Sequence, residues 1–183
     1  LSEKLKRLGA NVTGIDASKN SIEIAKKHAK KSRLEINYKC ITTSKLLGLK
    51  EEKVLNNFDL VIASEVIEHV YDRKKFLSDI SNLCRSGGLV VFTTINSSFL
   101  GILLGKYFAE EILNILPTGT HQVEKLISPK NLAIEAEEHG IILDNFTGFS
   151  PTFRFKNIVN KEFGNFKLTS NIQVNYGAAG IKL

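Results

Sequence analysis

FDLVIASEVIEHV, residues 58–70, is the stretch on which the rest of the chain is read. Its first six residues form a continuous apolar run of the length and composition expected of a parallel strand buried on both faces. Helical signals follow. Residues 73–83 place Phe76, Leu77, Ile80 and Leu83 at helical spacing, and RSGG at 85–88 stops them with two glycines. LVVFTT at 89–94 is again a buried strand.

Outward from this core the alternation continues. Leucines at 1, 5 and 8 mark a helical stripe ending at Gly9, where a left-handed cap is expected, and NVTGI at 11–15 is a short strand closed by Asp16. Ser18 can cap a helix over 21–31, whose Ile22, Ile24, Ala25 and Ala29 form an apolar face among lysines. Residues 36–41 read as a strand and 131–139 as a helix. Strands are further expected over 141–149, 153–159 and 172–176. Strand and helix in alternation predict an α/β, Rossmann-like open sheet with helices on both faces and right-handed crossovers.

With 183 residues the chain predicts one domain, 1–183, and 43% hydrophobic with 24% charged residues excludes disorder and a membrane bundle. A net charge of +6 raises the question of nucleic acid, but the Lys and Arg are spread over several helices, so no nucleic-acid partner is expected. Cys40 and Cys84 lack the spacing of a zinc site and are expected to be buried thiols. The sequence starts at Leu1, holds no Met and opens directly into a helical pattern. We therefore expect further chain upstream, including the first strand and its glycine-rich turn, without which the isolated chain is not expected to hold a nucleotide cofactor.

Two groups carry chemistry. Asp16, at the carboxyl end of a strand, is placed either to accept hydrogen bonds from a ribose or to cap the helix that follows. Glu65, Glu68 and His69 stand at i, i+3 and i+4, which on a helix puts two carboxylates and an imidazole on one face. That donor set suits Mg²⁺, Mn²⁺ or Zn²⁺; the plainer reading is an acidic helix start favoured by the helix dipole. His69 is alternatively a general base, imidazole having an ordinary pKa of about 6.5.

FDLVIASEVIEHV resembles the fourth strand and following loop of class I S-adenosylmethionine-dependent methyltransferases, and RSGGLVVFTT resembles their later glycine-and-strand element, with Ser86 where proline is usual. GIDAS at 14–18 supplies the acid after the second strand. LPTGTHQVEKLISP at 116–129, Asn96 and VNYGAAG at 174–180 narrow the likeness to the O-methyltransferases of ubiquinone biosynthesis, although residues 159–169 diverge from them. The resemblance covers residues 5–176.

It implies methyl transfer from S-adenosylmethionine to a catechol-type oxygen of a polyprenylated phenolic precursor. Asp16 would orient the ribose and Ser64 would border the cofactor, its other reading being a helix N-cap. Glu65, Glu68 and His69 would manage the acceptor oxygen with a divalent metal, Mg²⁺ first and Zn²⁺ or Mn²⁺ as alternatives, which lowers the pKa of the oxygen to be methylated.

FLGILLGKYFAEEILNIL at 99–116 is the most apolar stretch, yet Lys106, Glu110 and Glu111 make it an amphipathic insert and not a transmembrane helix. With a prenylated substrate it is expected to touch a membrane surface; otherwise it packs as a lid. His121 is a loop histidine that either reaches the substrate or is simply exposed, while His28 and His139 are expected on the surface. Other ubiquinone-biosynthesis proteins are the implied partners. The likeness of GTHQVEKLISP and NYGAAG to the eukaryotic branch places the expected location at the matrix face of the mitochondrial inner membrane, with a bacterial membrane-associated form as the alternative. Rival functions are a non-catalytic binding subunit of a membrane-associated complex and a methyltransferase of another small phenol.

Overall fold

The computed structural model describes residues 1–49, 56–98, 101–102, 125–151 and 166–183. Its contacts fall into two compact units, Leu1–Val54 and Leu55–Leu183.

In the smaller unit, helix α1 (Ser2–Arg7) leads to β1 (Thr13–Ile15), α2 (Lys19–Lys31), β2 (Asn37–Lys39) and α3 (Thr43–Leu47). Gly9 takes φ +94° just past α1, the left-handed conformation that lets the helix end there. β1 and β2 pair in parallel, Gly14 opposite Tyr38. Ser18 Oγ accepts the Ser21 N–H at 3.2 Å, so α2 is capped where expected but starts two residues earlier, and Ile22 and Ala29 are its buried face. His28 Nδ1 lies 2.5 Å from Glu3 Oε1, joining α2 to α1, and this hydrogen bond lowers the Glu3 pKa. α3 was not anticipated; its signal was Thr42, whose hydroxyl accepts the Lys45 N–H at 3.3 Å and caps the turn that buries Leu46.

The larger unit holds β3 (Phe58–Ser64), α4 (Arg73–Leu83), β4 (Cys84–Ile95), α5 (Pro129–Glu137), β5 (Ile141–Pro151), β6 (Phe166–Thr169) and β7 (Asn175–Lys182). Its sheet order is β3-β4-β7-β5-β6, with β3 parallel to β4 and the pairs β4–β7, β7–β5 and β5–β6 antiparallel. The sheet is therefore mixed. Because β3 pairs with β4 alone among the described strands, it is an edge, and Leu60 remains 38% exposed where burial on both faces was expected.

The end of α4 also differs from the expectation. Its cap is Cys84, already extended and buried, and β4 begins there. Phe58 pairs with Cys84 and Leu60 with Leu89, so RSGG is a bulge within the strand rather than the stop of the helix. The core packs Leu77 and Ile80 of α4 and Leu132 and Ala136 of α5 with Val90, Phe92, Ile141 and Tyr176 of the sheet. Arg73 ties the two helices, donating through Nε to Glu135 Oε2 at 2.6 Å and through Nη2 to Oε1 at 2.9 Å.

The final strand lies at 175–182, not 172–176. Its NYGAAGIK composition has little side chain to signal a strand, but the missing side chains are what the site needs: a Cβ on Gly180 would stand 1.8 Å from the Ile142 carbonyl oxygen. β6 was not foreseen, and the expected strand at 153–159 lies outside the described residues. Cys84 is buried as expected, and desolvation pushes its thiol up. Cys40 is exposed, since β2 ends one residue before it. His139 is half-buried rather than on the surface, because it closes α5 against the turn into β5, and its Nε2 is buried without a hydrogen-bond partner among the described residues.

Tyr176 is fully buried and donates its hydroxyl to the Ile127 carbonyl at 3.0 Å; burial, with the Glu68 charge adding, holds its phenol well above the ordinary range. Tyr176→Phe is expected to cost about 1 kcal/mol in a denaturant titration at neutral pH. Above a pH of about 10 the unfolded phenol ionises while the folded one stays protonated, so wild-type stability falls as pH rises. The Phe variant should lack that added slope.

Candidate active site

β3 and β4 run parallel, so their carboxyl ends open on one side of the sheet, where ligands of open α/β sheets bind. Ser64 is the last residue of β3, and Glu65 takes φ +52°, a left-handed conformation costing a non-glycine residue about 1–2 kcal/mol. The strand next door secures it: the Glu65 N–H donates to the Thr93 carbonyl at 2.8 Å. The chain then turns over residues 67–69, the His69 N–H reaching the Val66 carbonyl at 2.9 Å. α4 begins only at Arg73, where Asp72 Oδ1 accepts the Lys75 N–H at 2.9 Å.

This corrects the geometry expected for Glu65, Glu68 and His69. Spacing of i, i+3 and i+4 gathers side chains only on a helix, and this segment is a turn. Glu65 and His69 are exposed, whereas Glu68 is 1% exposed. Among the described residues no group of three His, Cys, Asp or Glu side chains is arranged to hold a metal ion.

Glu68 is the unusual member. Its Oε2 accepts the Thr94 hydroxyl at 2.9 Å, and its Oε1 is buried with no hydrogen-bond partner among the described residues. A buried carboxylate oxygen without a donor is costly, and such atoms concentrate at functional sites. Glu65, Glu68 and His69 carry oxygen and nitrogen donors of the kind that bind divalent cations, but the described turn does not bring the three together.

Ser64 is not a helix cap, since no helix follows it; its Oγ is 2.9 Å from Thr93 Oγ1. Asp16 belongs to the smaller unit, exposed at the end of β1, where its Oδ1 accepts the Ser18 N–H at 2.7 Å. It therefore supports the entry to α2 while Ser18 does the capping. Asn96, noted in the sequence for its family likeness, is structural: Nδ2 donates to the Ile172 carbonyl at 2.8 Å, and Oδ1 accepts the Ser98 N–H at 3.1 Å. An open cleft of about 500 Å³ borders the turn, lined by Ile67, Val70, Tyr71, Arg73, Lys125 and Glu135 among others.

Sequence reasoning missed Thr93 and Thr94. Their signal was two hydroxyls inside an otherwise apolar strand. The insert at 103–116 and His121 lie outside the described residues. No described helix is long and apolar enough to cross a membrane.

These elements define the S-adenosylmethionine-dependent methyltransferase class. The Methyltransferase domain family matches residues 1–92. A solved S-adenosylmethionine-dependent methyltransferase from Methanosarcina mazei shares the fold with a TM-score of 0.67 at 17% identity, over 100% of this chain and 87% of that one. Within the class, the chain is 40% identical over 179 residues to a ubiquinone biosynthesis O-methyltransferase of Colwellia psychrerythraea, covering 96% of the chain and 67% of the relative. It is 36% identical over 177 residues to the Nitrobacter winogradskyi protein of the same name, covering 96% of the chain and 62% of the relative. The chain belongs to the ubiquinone biosynthesis O-methyltransferase family. It spans roughly two-thirds of the length of these relatives. Both are bacterial, so the eukaryotic, mitochondrial expectation finds no support in them.

The left-handed Glu65 gives a test of the turn. Glu65→Gly is expected to hold or raise stability by up to about 1 kcal/mol, and the β-branched Glu65→Val to lower it by about 1–2 kcal/mol. Thermal melts of the two variants check it, and equal melting temperatures would contradict the conformation.

Proposed function

We propose that the protein transfers the methyl group of S-adenosylmethionine to a catechol-type oxygen of a polyprenylated precursor in ubiquinone biosynthesis. The observation that carries this reading is Glu68: a buried carboxylate with one unfilled oxygen, in the turn at the open end of a methyltransferase sheet. The names of the relatives supply the substrate class.

The transfer is an in-line displacement. The acceptor oxygen forms a bond to the methyl carbon, the carbon–sulfur bond breaks, and S-adenosylhomocysteine leaves. The sulfonium already activates the methyl, so the protein contributes mainly alignment and removal of the phenolic proton. His69, exposed in the turn, would take that proton as general base. Ser64 would border the cofactor and Asp16 would bind its ribose.

Glu65, Glu68 and His69 would hold a divalent ion, magnesium first and zinc or manganese second. Such an ion acidifies a phenol bound to it. Support comes from the donor chemistry and the unfilled Oε1; holding an ion requires the turn to rearrange from its described form.

Residues 1–183 would act as one methyltransferase domain, with 99–116 as its contact to a membrane surface from which the prenylated substrate is taken. The bacterial relatives favour the cytoplasmic face of a bacterial membrane, with other ubiquinone-biosynthesis proteins as partners.

The test is methyl transfer by the full-length protein from labelled S-adenosylmethionine to a short-chain prenyl catechol. Glu68→Gln is expected to lower kcat by about 100-fold, a ~2.7 kcal/mol effect, with the fold retained by circular dichroism. A chelator should lower wild-type activity and Mg²⁺ restore it. Absence of transfer to any catechol, with every divalent ion supplied, would overturn the enzyme reading, whereas full activity in chelator would overturn the ion alone.

A further inference from the structure

We infer that Thr93 and Thr94 are a pair of positioning residues that fix the two ends of the post-β3 turn independently, Thr93 setting the cofactor end and Thr94 the acceptor end. The inference rests on the reading of Ser64 and Glu68 given above. Consecutive residues of a strand project to opposite faces of the sheet. In β4 the buried face carries Val90, Phe92 and Thr94, and Thr93 lies on the other.

Each threonine meets a different part of the turn. Thr93 holds its beginning twice: its hydroxyl is 2.9 Å from Ser64 Oγ, and its carbonyl accepts the Glu65 N–H at 2.8 Å. The second bond holds the left-handed Glu65. Four residues after Ser64, the Thr94 hydroxyl donates to Glu68 Oε2 at 2.9 Å, the one donor that this buried carboxylate receives among the described residues.

Packing alone does not explain the Thr94 hydroxyl. A fully buried strand position is served at lower desolvation cost by valine, which has the shape of threonine without its polar atom. A hydroxyl on Thr94 is favourable only with the Glu68 carboxylate to receive it. With Oε2 engaged, the carboxylate keeps one orientation and leaves Oε1 as an acceptor without a donor among the described residues. Neither threonine need touch a ligand; each acts through a neighbour.

The experiment compares Thr93→Val and Thr94→Val with the hydroxyl-retaining Thr93→Ser and Thr94→Ser. Three readouts are taken on each variant of the full-length protein: amide hydrogen exchange over residues 64–69, calorimetric titration with S-adenosylmethionine, and steady-state transfer to a short-chain prenyl catechol. Thr93→Val removes the hydroxyl contact to Ser64 Oγ and keeps the carbonyl that holds the Glu65 N–H, so it is expected to raise the Kd for S-adenosylmethionine about tenfold, the size expected of a lost hydrogen bond, with exchange at 67–69 unchanged and the catechol KM within about twofold. Thr94→Val should hasten exchange at 67–69 and lower kcat about tenfold, leaving the cofactor Kd within about twofold. The serine variants should stay within about threefold of wild type on every readout.

Equal effects of the two valine variants on both ends, no effect from either, or serine variants as impaired as the valine ones would each overturn the inference. Exchange keeps this outcome separate from that of the proposed function. A turn loosened at 67–69 by Thr94→Val and not by Thr93→Val, in a protein that methylates no catechol, supports the bracket and sinks the enzyme reading alone. Unchanged exchange in a protein that does methylate catechols does the reverse.

Discussion

The larger unit depends on the backbone ladder of β4, which is paired on both edges, parallel to β3 and antiparallel to β7. With both edges hydrogen-bonded, its side chains are held to a strict alternation. Val90, Phe92, Thr94 and Asn96 are buried, while Val91, Thr93 and Ile95 are half-buried. A slip of one residue would exchange the two sets, moving Phe92 out of the core and Thr94 away from Glu68. The packing of α4 and the geometry of the turn are thus set by one register.

That register also explains how a carboxylate is kept inside. Burying Glu68 is unfavourable unless its oxygens find donors, and only Oε2 has one among the described residues. Surrounding structure must supply the difference. It does so with the apolar cluster around Phe92, Leu77 and Tyr176, and with the two-point contact of Arg73 to Glu135 that joins α4 to α5. Tyr176 directs its hydroxyl to the Ile127 carbonyl, so it does not serve Glu68.

Much of this was legible in the sequence, for reasons that differ by element. The 73–83 helix was legible from its apolar spacing, a local signal, whereas its end at Cys84 was not, because the strand pairing that begins there is a tertiary fact. β7 was placed too early, since Gly177, Ala178, Ala179 and Gly180 have low strand preference and their role is to admit neighbouring backbones, a tertiary fact. The SEVIEH segment was legible in composition and wrong in geometry. Its spacing fits a helix, but the hydrogen bond from Glu65 to a strand 28 residues further on holds the backbone left-handed, and no local rule reveals that partner. The threonines went unread because their importance lies in what faces them across the sheet.

The two halves of the candidate chemistry rest on unequal supports. Ser64, Glu65 and Glu68 are tied to β4, inside a five-stranded sheet with an extensive core. Asp16 ends β1, which pairs with β2 over three residues in a two-stranded parallel sheet. Ladders of that size contribute little alone, so the smaller unit draws its order from Ile22, Ala29 and Leu46 on its helices and from the Glu3–His28 contact. Local opening therefore costs less around Asp16 than around Glu68.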